Sequence, residues 1–442
     1  MDKQKIIANV SSLTAEQIFD EIQQGNVTLA ELKLTGNLDA VKRTKIVDLQ
    51  SKLEKEDDDA WERARYGNEM ELSDYITNNK NGKYIQEAKD KINYLESARR
   101  QEQSKKHEIL DNLAQNPNFY APEEVIRYLQ NGIISKQELA NLGIPLNIIE
   151  AIYNINTPQL QLGETPNGIP DGYTEVYFWG IPGSGKTCAL AAVLSAAHRS
   201  GFLNLAVGPG YDYMTRLKNI FVGDHAILPP PSPLETTQYL PFTLKKADEN
   251  HTRSISLIEL SGEIFQCFYY KNAGLKLPSQ SHQDTFDSLN RFLKGGNRKI
   301  HFFFIDYDKG NRTDSAGYTQ GDYLEAASTF FKNNEVFGKS TDAIYVVLTK
   351  CDLMPGPSEE RLTKAREHLS NENFSSFMNT LKDNCKKHSI NAGRLTIEPF
   401  SLGKVYFQQI CDFNNASAMK IIEILLGRIR PSKKSILDFF NK

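Results

Sequence analysis

One octapeptide limits what this chain can fold into more than any other feature. Residues Gly180–Thr187 read G-I-P-G-S-G-K-T and fit the pattern G-x-x-x-x-G-K-[ST]. The apolar run Thr174–Trp179 precedes it and predicts a buried strand, while the run after it predicts a helix that begins at Lys186 or Thr187. Glycines at these spacings let backbone N–H groups turn toward a phosphate at the positive end of a helix. The alternative is a glycine-rich turn that holds no ligand.

The residue types of this loop predict separate tasks in binding a nucleoside phosphate. We expect Lys186 to reach the outer phosphates, and the Thr187 hydroxyl to join the shell of a Mg²⁺ ion. The predicted binding residues of the loop are Gly180, Gly183, Ser184, Gly185, Lys186, Thr187 and Cys188.

Composition excludes several classes of protein and site. The chain has 442 residues, with 52 basic and 55 acidic side chains, and this balance argues against a general nucleic-acid or membrane-surface binder. No apolar run is long enough to span a bilayer, and no signal segment follows Met1, so we expect a cytoplasmic protein. The five cysteines contain no C-x-x-C pair and indicate neither zinc nor disulfides.

Strand and helix signals alternate from residue 174 onward, which predicts an α/β domain over 174–430. Its fold class is a mostly parallel sheet with covering helices. After the phosphate-loop helix we expect an irregular, proline-rich stretch ending at Thr236 and Thr237, followed by two runs that predict an antiparallel hairpin. The predicted strands after the first are Tyr239–Lys246, Ser254–Leu260, His301–Ile305, Ala343–Leu348 and Leu395–Phe400.

Short motifs stand at the ends of these runs in a fixed order. They are a threonine before the second strand, Glu259-Leu260-Ser261-Gly262 after the third, Thr349-Lys350-Cys351-Asp352 after the fifth and Ser401-Leu402-Gly403 after the sixth. With the phosphate loop, this order resembles the translation-factor-related class of P-loop GTPases, the Ras-like fold in its widest sense.

The resemblance implies GTP or GDP with Mg²⁺ as the ligands. It implies that Asp352 accepts two hydrogen bonds from the guanine edge, that Lys350 lies along the base and that Thr349 steadies the loop. Ser401 and Leu402 would complete the base site. The metal set that the resemblance implies is Thr187, Glu259, Thr236 and Thr237, and the catalytic set is Lys186, Thr237 and Glu263.

Three positions depart from the family pattern. Glu259 stands where the family has an aspartate, and Glu263 stands where many members have a glutamine that orients water. Ser401-Leu402-Gly403 replaces the usual S-A-K, so we expect its contact with the base to run through backbone groups. These departures predict hydrolysis that is slow or depends on a partner.

Asp306 supports a different hypothesis. The run His301–Asp306 fits the apolar strand and terminal aspartate of ATPases, in which that aspartate helps to hold Mg²⁺. Asp306-Tyr307-Asp308 lacks the adjacent catalytic glutamate of many ATPases, which favours the GTPase hypothesis. A third hypothesis is a scaffold that binds nucleotide without hydrolysing it.

The segments between Thr187 and Glu259 and between Gly262 and Thr349 are longer than a minimal Ras-like domain needs. Both switch segments are therefore enlarged. With the S-G-E and T-K-x-D motifs, this layout resembles the double-GTPase proteins of bacterial conflict systems.

The first 160 residues are polar and helical in pattern, and they contain an internal repeat. Residues around Gly25 recur around Gly132 at a constant offset, and each copy predicts a helix, a glycine turn and a second helix capped by Thr28 or Ser135. We expect these helical units and the switch segments to bind protein partners. The predicted domains are helical units 1–50, 51–115 and 116–160, a linker 161–173, the P-loop domain 174–430 and a tail 431–442.

The unit 51–115 begins with Trp61 and places aromatic residues at helical spacing, which favours a packed core over a ligand site. Its W-x-x-A start and its turn at Gly82-Lys83-Tyr84 resemble a short module seen beside effector domains in bacterial proteins. The short amphipathic end Ser435–Phe440 is expected to pack on its own domain rather than on a partner.

Overall fold

The computed structural model describes residues 2–157, 160, 168–205, 207–208, 210–223, 225–229, 237–310, 312–314 and 317–431. Contacts between residues divide the chain into two compact units, 1–109 and 110–442. Three segments of the sequence analysis lie outside the described residues. They are most of the proline-rich loop, with Thr236, linker residues 161–167, and tail residues 432–442 with their amphipathic end.

The first unit is helical. Polar and apolar residues alternate at helical spacing, and the apolar faces pack into a small core that includes Ile18, Leu32 and Ile46. Its helices are α1 Lys3–Asn9, α2 Ala15–Gln23, α3 Leu29–Leu34, α4 Ala40–Ala64, α5 Glu69–Asn78 and α6 Ile85–Gln115, of which α6 runs beyond residue 109.

The predicted repeat folds as two similar helical pairs, the first made of α2 and α3. Gly25 and Gly132 follow the leading helices with φ of +74° and +68°, a conformation that glycine adopts at low cost. Thr28 and Ser135 each accept the N–H of a glutamate three residues later. The helix–turn–helix prediction is therefore confirmed for both copies. The second copy and the helix after it are α7 Pro122–Gln130, α8 Lys136–Asn141 and α9 Leu146–Ala151.

Trp61 belongs to a packed core, as its helical spacing predicted. Its ring stacks on Tyr84 with centroids 5.2 Å apart and contacts Tyr75 at 5.3 Å. The Tyr75 hydroxyl donates to Asp57 Oδ1 at 2.7 Å, and a side chain at Gly82 would meet the same carboxylate at 2.5 Å. A larger residue at Gly82 would therefore have to displace the Asp57 carboxylate and the Tyr75 hydroxyl.

The second unit is built on a seven-stranded sheet, with a smaller three-stranded sheet beside it among the described residues. The predicted strands are present, with ends that differ by up to two residues. The large sheet contains β1 Thr174–Trp179, β2 Leu203–Asn204, β4 Gln238–Leu244, β5 Arg253–Glu259, β6 Lys299–Asp306, β7 Thr341–Thr349 and β8 Thr396–Pro399; the small sheet contains β3 Ala226–Ile227, β9 Gly403–Tyr406 and β10 Ile410–Phe413.

The strand order of the large sheet is β2-β4-β5-β1-β6-β7-β8. β1 lies between β5 and β6 and is parallel to both, and β6, β7 and β8 continue in parallel. β4 pairs with β5 in antiparallel fashion, which confirms the predicted hairpin. The mostly parallel α/β fold is therefore observed, and β1 delivers the phosphate loop at the centre of the sheet.

Helices cover both faces of this sheet. Val176 and Phe178 of β1 belong to one apolar core, and Tyr177 and Trp179 belong to the other, as the alternation of side chains along a strand requires. The first core includes residues of α10 Lys186–Arg199, α11 Tyr211–Lys218 and α17 Ala416–Arg428; the second includes residues of α12 Ile264–Asn272, α13 Gln280–Leu293, α14 Gln320–Asn333, α15 Arg361–His368 and α16 Glu372–Lys387.

The stretch after the phosphate-loop helix is more ordered than we expected. β2, α11 and β3 lie where the sequence predicted an irregular segment. Tyr213, Met214 and Leu217 form the buried face of α11, so a helical period was present but short.

Among the described residues, no helix combines the length and the apolar composition that crossing a bilayer demands.

A buried histidine joins the two central strands. Trp179 Nε1 donates to Nδ1 of His301 at 3.0 Å, and the imidazole stacks on Tyr177. Burial, together with the charge of Lys299, lowers the pKa of His301 to about 3. The ring is therefore neutral in the folded protein, with Nδ1 as the acceptor.

This burial predicts acid sensitivity of the second unit. Below about pH 6.5 the unfolded chain protonates His301 and the folded chain does not, so its contribution to stability falls by ~1.4 kcal/mol per pH unit toward pH 3. Since the chain has two tryptophans, a Trp61→Phe background leaves Trp179 as the reporter of urea unfolding. We expect His301→Asn to reduce the loss of stability between pH 7 and pH 5. Equal losses in both proteins would contradict this account.

Candidate functional site

The phosphate loop connects β1 to α10, and its glycines are required by geometry. Gly183 and Gly185 have φ of +72° and +86°. A Cβ on Gly180 would lie 2.7 Å from the carbonyl oxygen of Phe304. These conditions favour glycine at all three positions, and at Gly180 they let the backbone lie close to β6. The helix begins at Lys186, as the sequence predicted.

Lys186 is folded into the loop that it follows. Its amine donates to the carbonyl oxygens of Gly180 at 2.6 Å and Ile181 at 3.1 Å. Burial lowers the pKa of Lys186 to about 8, although the nearby carboxylate of Glu259 opposes that shift. A phosphate oxygen would be a stronger acceptor for this ammonium than a neutral carbonyl.

Glu259, at the end of β5, ties the loop to the neighbouring strand. Its Oε1 accepts a short hydrogen bond from the Thr187 hydroxyl, and its Oε2 accepts from the Tyr213 hydroxyl at 2.7 Å. Burial raises the pKa of Glu259 above its usual value, and the hydrogen bonds from the two hydroxyls offset only part of this rise. Two residues predicted to hold metal are thus in direct contact. Tyr213, on α11, was missed because we had assigned no helix there.

The T-K-x-D segment lies at the end of β7 against the loop. Thr349 Oγ1 lies 3.0 Å from the carbonyl oxygen of Ser184 and 3.1 Å from that of Ile305. Thr349 therefore connects the phosphate loop with the ends of β6 and β7. Lys350 adopts a left-handed conformation with φ of +57°, and its amine lies 3.0 Å from Asp306 Oδ2.

Ser401 has a contact that the sequence did not reveal. Its hydroxyl donates to Asp352 Oδ1 at 2.8 Å and accepts the N–H of Gly403 at 3.0 Å. The carbonyl oxygen of Leu402 accepts the N–H of Asn414 at 2.7 Å. We had expected the Ser401 segment to act through its backbone, whereas its side chain orients the predicted guanine-binding carboxylate.

These elements surround one cavity of about 430 Å³. It has the size of a small-molecule site and combines apolar walls with a few polar groups. Burial raises the pKa of the Cys188 thiol to about 12, so the thiol is neutral at this wall. The predicted binding residues that line the cavity are Gly183, Gly185, Cys188, Thr349, Lys350, Asp352 and Leu402.

A second cavity, of about 350 Å³, is lined by Ile181 and Pro182 of the loop and by the segment after β6. Lys309, in that segment, donates its amine to the carbonyl oxygen of Pro182 at 2.5 Å. Arg312 lines both cavities and pairs with Asp308 at 2.9 Å. The sequence analysis gave these two cations no task, because their proximity depends on the fold.

Gly262 rests directly on the phosphate loop. A Cβ at this position would lie 2.2 Å from the backbone nitrogen of Pro182, so only glycine fits. The next residue, Glu263, is buried, and its Oε2 lies 3.1 Å from Nε2 of His282. Glu263 thus directly follows the residue that contacts the phosphate loop. Its carboxylate contacts an imidazole that the sequence analysis did not connect with it.

Asp306 has a structural task at the end of β6. Its carboxylate is fully buried, and Oδ1 accepts the N–H groups of Asp308 at 2.9 Å and Lys309 at 3.3 Å. Its second oxygen forms the ion pair with Lys350. Asp306 therefore organises the segment after β6 and positions Lys350.

Thr237 directly precedes β4 and is buried. Within the described residues no cluster of three or more histidine, cysteine or acidic side chains is arranged to hold a metal ion. Mg²⁺ sites in nucleotide-binding proteins use few protein ligands, because phosphates and waters supply the remaining oxygens. The hydroxyl of Thr187 and the carboxylate of Glu259 are oxygen donors of the kind that Mg²⁺ takes.

Comparison with known proteins gives only distant similarities. No protein-family model matches the sequence, and no curated protein matches it either. Among solved structures, a nucleolar GTP-binding protein 1 of Plasmodium falciparum is 12% identical, with a TM-score of 0.27, over 59% of this chain and 89% of that one.

Two further structures are similarly distant. The Ski7 GTPase-like domain of S. cerevisiae, bound to GTP, is 14% identical with a TM-score of 0.28, over 58% of this chain and 51% of that one. Roco2 of Methanosarcina barkeri, bound to GDP, is 11% identical with a TM-score of 0.27, over 65% of this chain and 57% of that one.

The geometry predicts that Lys186 is needed for phosphate binding but not for folding. We expect Lys186→Ala to weaken GTP binding at least tenfold, ~1.4 kcal/mol or more, because the loop loses its buried cation. Calorimetric titration measures this, and circular dichroism checks the fold. Lys276→Ala, at an exposed lysine of the same unit, is the control. Equal affinities for the wild type and Lys186→Ala would refute the phosphate-site assignment.

Proposed function

We propose that this chain is a GTP-binding switch protein that hydrolyses GTP slowly and couples its nucleotide state to protein partners. The observation that carries the proposal is the position of Asp352. Its carboxylate, oriented by Ser401, lines the same cavity as Gly183 and Gly185 of the phosphate loop. A ligand with phosphates at the loop and a base at Asp352 satisfies both ends of this cavity.

Guanine is the base that fits the Asp352 end. A carboxylate accepts two hydrogen bonds from paired donors, and guanine has an adjacent N–H and NH₂ where adenine has none. A site built for such donors discriminates strongly, because a base without them forms no charge-assisted hydrogen bonds with the carboxylate. Ser401 makes this selectivity sharper, because it restricts the orientation of the carboxylate.

The metal part of the proposal rests on Thr187 and Glu259. We propose that these two residues, with Thr236 and Thr237, form the protein side of a Mg²⁺ site. Mg²⁺, when bound, offsets the negative charge of the phosphates. The longer side chain of Glu259 supports this role, since it already reaches the Thr187 hydroxyl from the end of β5.

The ATPase hypothesis is less well supported. It requires the Asp306 carboxylate to serve a metal, but that carboxylate accepts two backbone N–H groups and pairs with Lys350. The residue in contact with Thr187 is Glu259, on the other neighbour of β1. The ion pair also gives Lys350 a fixed position beside the cavity.

A non-hydrolysing scaffold is the second candidate function, favoured by the contact between Glu263 and His282. A carboxylate beside a triphosphate adds repulsion unless it is protonated or paired with a cation, and here an imidazole partner is present.

We propose that Glu263 orients water only after this contact rearranges, with a partner supplying an arginine or moving the segment. A role in bacterial conflict signalling, through the N-terminal helical units, agrees with this partner dependence.

Base selectivity provides the test of the proposed function. We expect Asp352→Asn to weaken GTP binding ten- to a hundredfold and to favour xanthosine triphosphate, which presents an acceptor where guanine has a donor. The loss corresponds to ~1.5–3 kcal/mol for hydrogen bonds to a charged group. Competition titrations with the two nucleotides measure the reversal.

Two comparisons sharpen this test. Ser401→Ala should lower GTP affinity less than Asp352→Asn and in the same direction, since it loosens the carboxylate without removing it. Asp383→Asn, at an exposed aspartate of α16, should have no effect. An Asp352→Asn variant that keeps wild-type selectivity would show that guanine is read elsewhere.

The hydrolysis step makes its own prediction. With Mg²⁺ alone we expect single-turnover hydrolysis on the order of 10⁻⁴ to 10⁻² per second, in the range of unassisted GTPases. Glu263→Ala should lower the partner-stimulated rate about tenfold and change GTP affinity less than twofold, while Glu359→Ala, at an exposed glutamate, should change neither. Fast hydrolysis that survives Glu263→Ala would show that another residue positions the water. Phosphate release absent under all conditions would favour the scaffold.

A further inference from the structure

One wall of the predicted nucleotide cavity comes from residues outside the phosphate loop and the other sequence motifs. Asn116 and Asn118 line it, from the short loop that joins α6 to α7. Gln408, in the turn between β9 and β10, lines it as well. All three residues belong to the unit 110–442, and none of them was assigned a task by the sequence.

Three hydrogen bonds hold the loop and the turn together. The N–H of Phe407 donates to the carbonyl oxygen of Pro117 at 2.9 Å. The backbone of Gln408 donates to Asn118 Oδ1 at 2.8 Å, and its side-chain amide donates to the Asn118 carbonyl oxygen at 3.1 Å. The Asn118 amide nitrogen and the Gln408 amide oxygen are not used in these bonds.

The turn itself is unusual. Phe407 and Gln408 have φ of +52° and +63°, a left-handed conformation that non-glycine residues adopt in sequence only at a cost. Such a conformation persists when its surroundings stabilise it. Phe407 is fully buried, and the bonds to Pro117 and Asn118 are part of what surrounds the turn.

The same hairpin reaches the base-binding residues at its other end. Ser401, which orients Asp352, stands two residues before the start of β9 at Gly403. A Cβ on Gly403 would lie 2.1 Å from the carbonyl oxygen of Asp412 in β10, so the hairpin is tightly closed there. Ser401 and Gln408 therefore lie near opposite ends of one short, closed hairpin.

We propose that the Asn118–Gln408 contact forms part of the wall of the guanosine pocket. Guanine-nucleotide binding and docking of residues 116–118 onto the turn then stabilise each other. The inference rests on the proposed function and adds its route of regulation. Coupling between two binding events is reciprocal. The factor by which bound nucleotide strengthens docking of residues 116–118 is therefore the factor by which nucleotide binding weakens when these residues are pulled away from the turn. The end of α6 is then the element that senses whether the pocket is filled.

GDP is the probe for this proposal, with the full chain titrated by calorimetry. We expect Asn118→Ala and Gln408→Ala each to weaken GDP binding about fivefold or more. The double variant should lose less than the product, because the two hydrogen bonds removed hold the same loop to the same turn. Gln409→Ala is the matched control. Gln409 occupies the same turn and donates to Thr157 Oγ1 at 2.9 Å, but it is not among the residues that line the cavity. The GDP affinity of the Gln409→Ala variant should stay within twofold of that of the wild type.

Hydrogen exchange supplies the reciprocal measurement. In the wild type, GDP should slow exchange of the peptide covering residues 110–121, and Gln408→Ala should lose this protection while the peptides of α10 keep theirs. Exchange of α10 also shows whether each variant is folded. Unchanged affinity in both variants, or an equal loss in Gln409→Ala, would overturn the proposal. A wild-type protein that binds no guanine nucleotide would instead refute the proposed function.

Discussion

The contact between Thr187 and Glu259 is the constraint on which the site depends. It joins the first turn of α10 to the end of β5, and both side chains are held in place by the central sheet. Parallel pairing sets Phe178 of β1 opposite Glu259, so the strand register alone brings the carboxylate beside the phosphate loop. Tyr213 holds the second oxygen, which leaves this buried carboxylate with a partner on each side.

The other contacts extend from this centre along the ends of the parallel strands. Thr349 connects the loop to β6 and β7, and Gly262 places the segment after β5 directly on Pro182. Open α/β sheets bind ligands at the carboxyl ends of their strands, because only there do loops from neighbouring strands meet. These segments are therefore in direct contact with the phosphate loop.

Much of the fold could be predicted because its signals are local. The strands around the phosphate loop are apolar runs, and the two helical pairs carry hydroxyl caps and glycine turns at matching positions. The elements that were missed are short. β2 and β3 have two residues each, and α11 has eight, so their periodicity was too brief to recognise.

The candidate site was predictable where one motif contains all its residues, and less so where a contact joins distant parts of the chain. The phosphate loop follows from the spacing of its motif, and the proposed role of Asp352 follows from the resemblance of the motif order to that of P-loop GTPases. The partners Tyr213, His282 and Asn118 do not, because pairing between them and the motifs depends on how helices and turns pack. A tyrosine or an asparagine in a polar segment carries no sign of the residue that it will contact.

The central claim is that one cavity binds a guanine nucleotide between the phosphate loop and Asp352. The most direct test is competition of GTP and ATP for the wild-type chain in the presence of Mg²⁺, followed by calorimetry. The account predicts that GTP binds at least a hundredfold more tightly, because adenine lacks the paired donors that guanine offers to the Asp352 carboxylate. Equal affinities, or a preference for ATP, would contradict it and would return Asp306 to consideration as the metal-binding carboxylate.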